Sequence, residues 1–260
     1  MSAMEPDLTP PRQLHLPQDL IGRASFTEAL HLRLTGSLPA EGVGRMLDAC
    51  LVIFLDHGLT PSALAARLTN HGAPENLQGA VAAGILGAGS RYLGTSGDVA
   101  ALLADAREQA DGATPTPAAV ARLAFERHAK VPGFGHPIYG RGDPRATALL
   151  ELQRELGLPH ENADLMSAVE TVLLEQYGAD LRLNAAGAIG AVICDLGLPP
   201  DCGRGLAIIA RCGGLLAHVL EERSQPISSD VWAEMRQRFP KAGWSGSLVD
   251  VGADGAVDDE

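Results

Sequence analysis

Residues 79–89 carry almost no side-chain bulk: Gly79, Ala80, Ala82, Ala83, Gly84, Gly87 and Ala88 leave a ribbon of nearly bare backbone in a helical context. A glycine inside a helix costs about 1 kcal/mol relative to alanine. Repeated glycines therefore suggest that something must come close, either a neighbouring helix or a ligand, and tight helix packing is the simpler reading. Residues 184–197 and 206–222 have the same small, apolar character. Three such stretches predict helices packed at short range.

Most of the remaining chain also reads as helix. Ser25-Phe26-Thr27-Glu28 is a capping box, in which hydroxyl and carboxylate satisfy first-turn amides reciprocally. Val43, Met46, Leu47, Cys50, Leu51, Phe54 and Leu55 recur at three- and four-residue steps up to Gly58. Thr60-Pro61, Thr116-Pro117 and Asp143-Pro144 each place a capping oxygen before a first-turn proline, so three helices start by one device. Strand signals are weak, and no repeat of solenoid length is present. The expected fold class is all-α, with tails over residues 1–18 and 243–260 flanking a helical region over 19–242.

Charge and cysteine usage exclude several classes. The chain carries 32 acids against 20 bases, a net charge of −12. Residues 241–260, with five acids and one base, are too few to account for it. Such a surface is a poor partner for nucleic acid. No window of about 18 unbroken apolar residues predicts a membrane span. Cys50, Cys194, Cys202 and Cys212 show no CxxC spacing, which reads as free thiols in a reducing cytoplasm and not as a zinc site. The first residues lack a basic start followed by an apolar block, so no secretory leader is expected and the localisation reads as cytoplasmic. An anionic substrate would need arginines gathered locally against the average field.

The most unusual local sequence is Val131-Pro132-Gly133-Phe134-Gly135-His136-Pro137-Ile138-Tyr139, leading into Gly142-Asp143-Pro144-Arg145. Two glycines and two prolines predict a sharply bent loop with bared amides and His136 fixed at its centre. Arg145 falls in the first turn of the next helix, where a cation opposes the macrodipole. An anionic ligand would explain it; an ordinary helix-connecting turn is the alternative.

Pro132-Gly133-Phe134-Gly135-His136-Pro137 followed by Asp143-Pro144-Arg145-Ala146 resembles the signature of the citrate synthase family. The resemblance runs over residues 21–228 and takes in Leu38-Pro39, Asp56-His57-Gly58, the small-residue helix of residues 80–89 and Arg211-Cys212-Gly213-Gly214-Leu215-Leu216-Ala217-His218. The chain is shorter than a full synthase, as though truncated at its N-terminus. In length, and in the run Gly89-Ser90-Arg91-Tyr92-Leu93-Gly94, it is more similar to citryl-CoA lyase and the citryl-CoA-cleaving module of ATP-citrate lyase. The resemblance implies large and small helical domains, the small one around residues 95–200, with an active-site cleft between them and a homodimeric assembly. It implies an acyl-CoA and a di- or tricarboxylate as small-molecule partners, coenzyme A entering as a thioester substrate with no permanently bound cofactor and no metal. His136 corresponds to the histidine handling the carbinol proton, His57 to a histidine contacting the tricarboxylate, and Arg145 and Arg211 to carboxylate-binding arginines. Pro132, Gly133, Phe134 and Gly135 would lie along coenzyme A.

The sequence departs from the family at three positions. The aspartate that exchanges the acyl-carbon proton aligns with Ala186, in Leu183-Asn184-Ala185-Ala186-Gly187. The histidine that stabilises the enol aligns with Tyr92, and a late arginine with Gln225 before Pro226. Condensation needs a base at carbon, which Ala186 cannot supply, whereas cleavage begins with a base at the hydroxyl, which His136 supplies. Asn184 and Tyr92 are candidate donors to an enolate oxygen. The expected activity is thus citryl-CoA-lyase-like cleavage. The alternatives are a binding protein that has lost catalysis and a synthase drawing a carboxylate from elsewhere, for example Asp180. The other histidines take structural roles: His15, His31, His71, His128 and His160 at the surface or in caps, and His218 in packing.

Overall fold

The computed structural model describes residues 16–127, 130–136, 139–140 and 142–239. The acidic tail expected over 243–260 and residues 1–15 of the N-terminal tail lie outside the described residues, as do His15, His128, Pro137 and Ile138. Residues Leu16–Leu20, expected to belong partly to that tail, form a π-helical turn.

Eleven α-helices follow among the described residues: α1 (Phe26–Thr35), α2 (Val43–Leu55), α3 (Pro61–Gly72), α4 (Leu77–Leu93), α5 (Thr95–Gln109), α6 (Pro117–Arg127), α7 (Pro144–Glu155), α8 (Glu161–Tyr177), α9 (Ala185–Asp195), α10 (Asp201–Ser224) and α11 (Ser228–Arg238). The only β-type pairing described is an isolated antiparallel bridge between Phe134 and Leu183. The capping box forms as read: Glu28 N–H donates to Ser25 Oγ at 3.2 Å and Ser25 N–H to Glu28 Oε2 at 2.7 Å. Thr60, Thr116 and Asp143 each accept a first-turn amide ahead of their prolines.

The small-residue stretches become helix contacts. A Cβ on Gly84 of α4 would stand 2.7 Å from the Leu215 side chain of α10, and one on Gly190 of α9 would stand 2.7 Å from the Ser96 carbonyl of α5. At Gly203 of α10 it would meet the Gly97 amide at 2.9 Å. Packing, not ligand contact, accounts for these glycines.

Helix α9 is the hub of one half. It is covered by α5, α7 and α8, with α6 on α8, and Gly187, Ala188, Ile189, Gly190, Ala191, Val192 and Ile193 are all buried. In the other half α10 lies on α2, α3 and α4. By length and mean hydropathy α10 could cross a membrane, although Arg204, Arg211 and His218 interrupt its apolar run. Half of that stretch is buried, however, and it carries the buried Arg211, His218 and Glu222, so it serves as a central core helix. The main apolar core runs unbroken from α2 and the end of α4 into α5–α9, while Ala63, Ala66, Ala80, Leu215 and Val219 form a second, smaller cluster.

Candidate active site

Where the two halves meet, a cavity of about 240 Å³ is lined by Ile53, Phe54 and His57 from α2 and its exit, Arg91 and Tyr92 from α4, Thr95, Gly135 and His136, Asp143 and Arg145, and Asn184, Ala185 and Ala186. A smaller pocket of about 40 Å³ adjoins it, sharing His57 and Tyr92 and reaching Arg211, Thr60 and Ser62. The chain thus brings the predicted His57, His136, Arg145, Tyr92, Asn184 and Ala186 into one cavity, with Arg211 behind its wall.

Each position has a backbone cause. Gly89 sits at φ 53°, ψ −164°, a conformation open essentially to glycine alone. It breaks α4, and the short piece beyond carries Arg91 and Tyr92 to the cavity. Gly133 (φ 81°) and Gly135 (φ 76°) bend the loop. The loop is then sewn to the start of α9: Asn184 N–H donates to the Gly133 carbonyl (2.9 Å), Gly135 N–H to the Arg182 carbonyl (2.7 Å), and Asn184 Nδ2 to the Gly135 carbonyl (2.8 Å). A Cβ on Gly187 would run into the Gly133 carbonyl, so loop and helix touch backbone to backbone.

This sewing corrects the expectation of bared amides. Pro132, Gly133 and Phe134 are buried, and the Gly135 amide is already paired, so of the four residues expected along coenzyme A only Gly135 faces the cavity. Asn184 caps α9 by accepting from Gly187 N–H at 3.0 Å while its amide holds Gly135, a positioning task not foreseen for it.

The arginines are also held differently from expectation. Asp143, only 2% exposed, grips Arg145 through a two-pronged contact, Nε to Oδ1 at 2.9 Å and Nη2 to Oδ2 at 2.8 Å. The same carboxylate accepts Ala185 N–H at 2.9 Å and Arg145 N–H at 3.1 Å. The anion that offsets a cation in a first helical turn is therefore internal. Burial would raise the Asp143 pKa, but the Arg145 fork and the two amides outweigh it and hold the carboxyl below the usual range. Sequence reading passed over Asp143 as a site residue; its place two residues before Arg145 was the available signal. Arg91, a further cation of the cavity, was quoted only as part of a motif. Arg211 is 3% exposed and donates to Thr60 Oγ1 at 2.6 Å and Ser62 Oγ at 3.2 Å, while its buried Nη1 has no partner among the described residues.

Both site imidazoles are shifted toward the neutral form. α2 closes at Leu55, and burial, with Arg211 and Arg145 nearby, pushes the His57 pKa down. Burial and then Arg145 lower that of His136, against a smaller opposing pull from Asp143. Arg145 Nη2 stands 3.3 Å from His136 Nε2, and Tyr139 N–H donates to Nδ1 at 3.3 Å.

Other candidates fall away from the cavity. Asp180 pairs with Arg182 at 3.1 Å, its side chain 68% exposed, and does not line the site. Among the described residues Asp143 is the only carboxylate that does. Gln225 lies 14 residues past Arg211 along α10, about 21 Å by helical rise. His218 is buried, 3.2 Å from Glu221 Oε2. His31 is buried too, not superficial, because its Nδ1 lies 3.0 Å from the Ser37 carbonyl beyond the end of α1.

Two imidazoles, His57 and His136, and two guanidinium groups, Arg91 and Arg145, line this helix-walled cavity. The chain belongs to the citrate synthase family: the pattern of the family's "Citrate synthase, C-terminal domain" matches residues 12–229. Among curated relatives, the citrate synthase of Haloferax volcanii is 32% identical over 73% of this chain and 49% of its own, and the citrate/2-methylcitrate synthase of Bacillus subtilis 27% identical over 77% and 53%. The chain thus spans about half the length of the curated relatives it matches. Among solved structures, citryl-CoA lyase from Hydrogenobacter thermophilus superposes with a TM-score of 0.75 at 33% identity, covering 88% of this chain and 87% of that one. ATP citrate lyase from Methanothrix soehngenii shares the fold, with a TM-score of 0.67 at 23% identity over 77% of this chain and 34% of that one.

Proposed function

We propose that the protein cleaves a 3-hydroxy-3-carboxyacyl-CoA such as citryl-CoA into a 2-oxo acid and a smaller acyl-CoA. The observation carrying this reading is the composition of the cavity: a neutral imidazole beside a guanidinium, with Ala186 where condensation would need a carboxylate. The cavity's own carboxylate, Asp143, is committed to Arg145 and to α9, and its depressed pKa makes it a weak base. The likeness to citryl-CoA lyase, which extends over most of both chains, supports the same reading.

In the cleavage step His136 Nε2 accepts the proton of the tertiary hydroxyl. The oxygen electrons form the new carbonyl, the carbon–carbon bond breaks, and its electron pair passes to the thioester as an enolate. A donor hydrogen bond from Tyr92 or the second Asn184 Nδ2 hydrogen steadies the enolate oxygen. Water reaching the partly open site protonates the enolate carbon, and the imidazolium returns its proton to solvent. Arg145, Arg211 and His57 hold the carboxylates, arginine being suited to them by its planar fork.

A second reading rests on the same Ala186: the site binds coenzyme A thioesters and tricarboxylates without turning them over, as a sensor or partner subunit. The naming of the curated relatives favours a third, a working synthase. One assay separates them. The protein is incubated with citryl-CoA, and separately with acetyl-CoA plus oxaloacetate, while thioester and free coenzyme A are followed. Cleavage without condensation supports the lyase; free coenzyme A released from the second mixture supports the synthase. Thermal stabilisation without turnover supports the binding protein, and activity gained by Ala186→Asp would mark decay from an active ancestor. The reading includes a cytoplasmic homodimer, for which the exposed Val52, Leu86 and Leu220 on neighbouring helices are suitable apolar contacts. Sedimentation measures that directly.

A further inference from the structure

Arg145 has five N–H hydrogens. Asp143 takes the Nε hydrogen and one on Nη2. The second Nη2 hydrogen is directed to Nε2 of His136, 3.3 Å away, and Nη1 has no partner among the described residues. The guanidinium of this cavity-lining residue therefore has one edge locked and one corner on the imidazole, which leaves the Nη1/Nη2 edge as the one Asp143 does not hold. Tyr139 N–H faces Nδ1 of the same ring. A neutral imidazole has one lone pair, so two donors compete for it.

We propose that Arg145 caps the base: with the site empty its Nη2 N–H occupies Nε2 of His136, and a carboxylate bound on the Nη1/Nη2 edge draws that N–H away and frees the lone pair. The Asp143 fork keeps the guanidinium within reach of both partners. The gate deepens the cleavage reading and rests on it for its ligand. It makes proton abstraction conditional on a seated carboxylate, so a 3-hydroxyacyl-CoA without that carboxylate is turned over slowly even at saturation. Among the described residues, the groups around His136 include Arg145 and Asp143, the Tyr139 ring (centroids 4.8 Å apart) and, lining the same cavity, His57, Arg91 and Tyr92. Arg145 lowers the His136 pKa and Asp143 raises it, so neutralising Arg145 moves the midpoint upward.

The test is a pH titration of the full chain carrying ¹⁵N-labelled histidine, read at the His136 ring nitrogens, alone and with citrate or oxalate. Unliganded, His136 should titrate below the ordinary histidine midpoint, and either anion should raise it by about one pH unit. Arg145→Gln should start from the raised midpoint and no longer respond. Arg145→Lys covers a glutamine variant that fails to fold: it keeps the charge but not the fork, so the resting midpoint rises less and the anion response shrinks. A His136 midpoint unchanged in both variants overturns the cap. A midpoint raised by Arg145→Gln but indifferent to both anions in the parent overturns the uncapping. A response to oxalate but not to citrate keeps the gate and removes the tricarboxylate reading.

Discussion

His136 and Asp143 divide the work of the site between a group that moves a proton and a group that holds still. If His136 Nε2 is the base, His136→Ala should lower the cleavage rate by about 10²–10⁴ while the thermal midpoint stays near the parent's, checked by turnover and calorimetry on one preparation. Because its pKa lies below the usual 6.5, the unprotonated form persists under that pH. The acid limb of the kcat/KM profile, which reports the unliganded enzyme, should accordingly fall below pH 6.5. Asp143 works on stability. Asp143→Asn leaves Arg145 partly buried with one good acceptor in place of two, and should cost about 1–3 kcal/mol in urea unfolding. Its folded pKa is depressed, so its contribution is complete above the unfolded value near 3.9 and is lost as pH falls through the lower folded value. The difference between parent and Asp143→Asn should accordingly shrink in acid.

At the scale of elements, glycine does two unlike jobs. At Gly187 a methyl group would collide with the Gly133 carbonyl, and backbone cannot step aside as a side chain does. At Gly89 nothing lies within 4 Å of a Cβ, so the demand is conformational alone. Gly89→Ala should then cost about 1–3 kcal/mol of strain, while Gly187→Ala costs more and separates the loop from α9, weakening citrate binding as well; paired unfolding and binding curves check both. The sequence made the first job readable, because glycines at helical spacing speak of packing. The kink at Gly89 was not readable: nothing local distinguishes it from Gly84 or Gly87. The three proline-launched helices and the capping box were plain, since their chemistry lies within four residues. The burial of Pro132, Gly133 and Phe134 was missed because residues 182–184, about fifty positions away, use up the loop's hydrogen bonds. His57, His136 and Arg145 were placed by a motif; Asp143 stood in the same motif but was read only as a cap, and the place of Arg91 at the cavity depended on the break at Gly89.

Across the whole molecule, α3 and the end of α10 are tied by a charge cluster around the buried Arg67 and Glu222. Arg67 on α3 reaches Glu222 at 3.0 Å, near the end of α10, with Glu221 beside it. Glu222 also accepts Ser228 N–H at 2.9 Å and Ile227 N–H, setting where α11 begins. Removing one partner of a buried pair costs about 3–5 kcal/mol. Arg67→Met should fall at the low end, since those amides remain, and lower the melting temperature while any turnover at permissive temperature is kept. A comparable loss of turnover at low temperature would mean that α3 and α10 communicate with the cavity.

The main-chain seam between Gly133 and Gly187 has a historical corollary. Since the arch carrying His136 rests on peptide groups and the Asn184 amide and not on the side chain at 186, that position can vary without removing any of these bonds. A lineage could delete an acid there, alter which way the chemistry runs, and inherit the remaining apparatus intact.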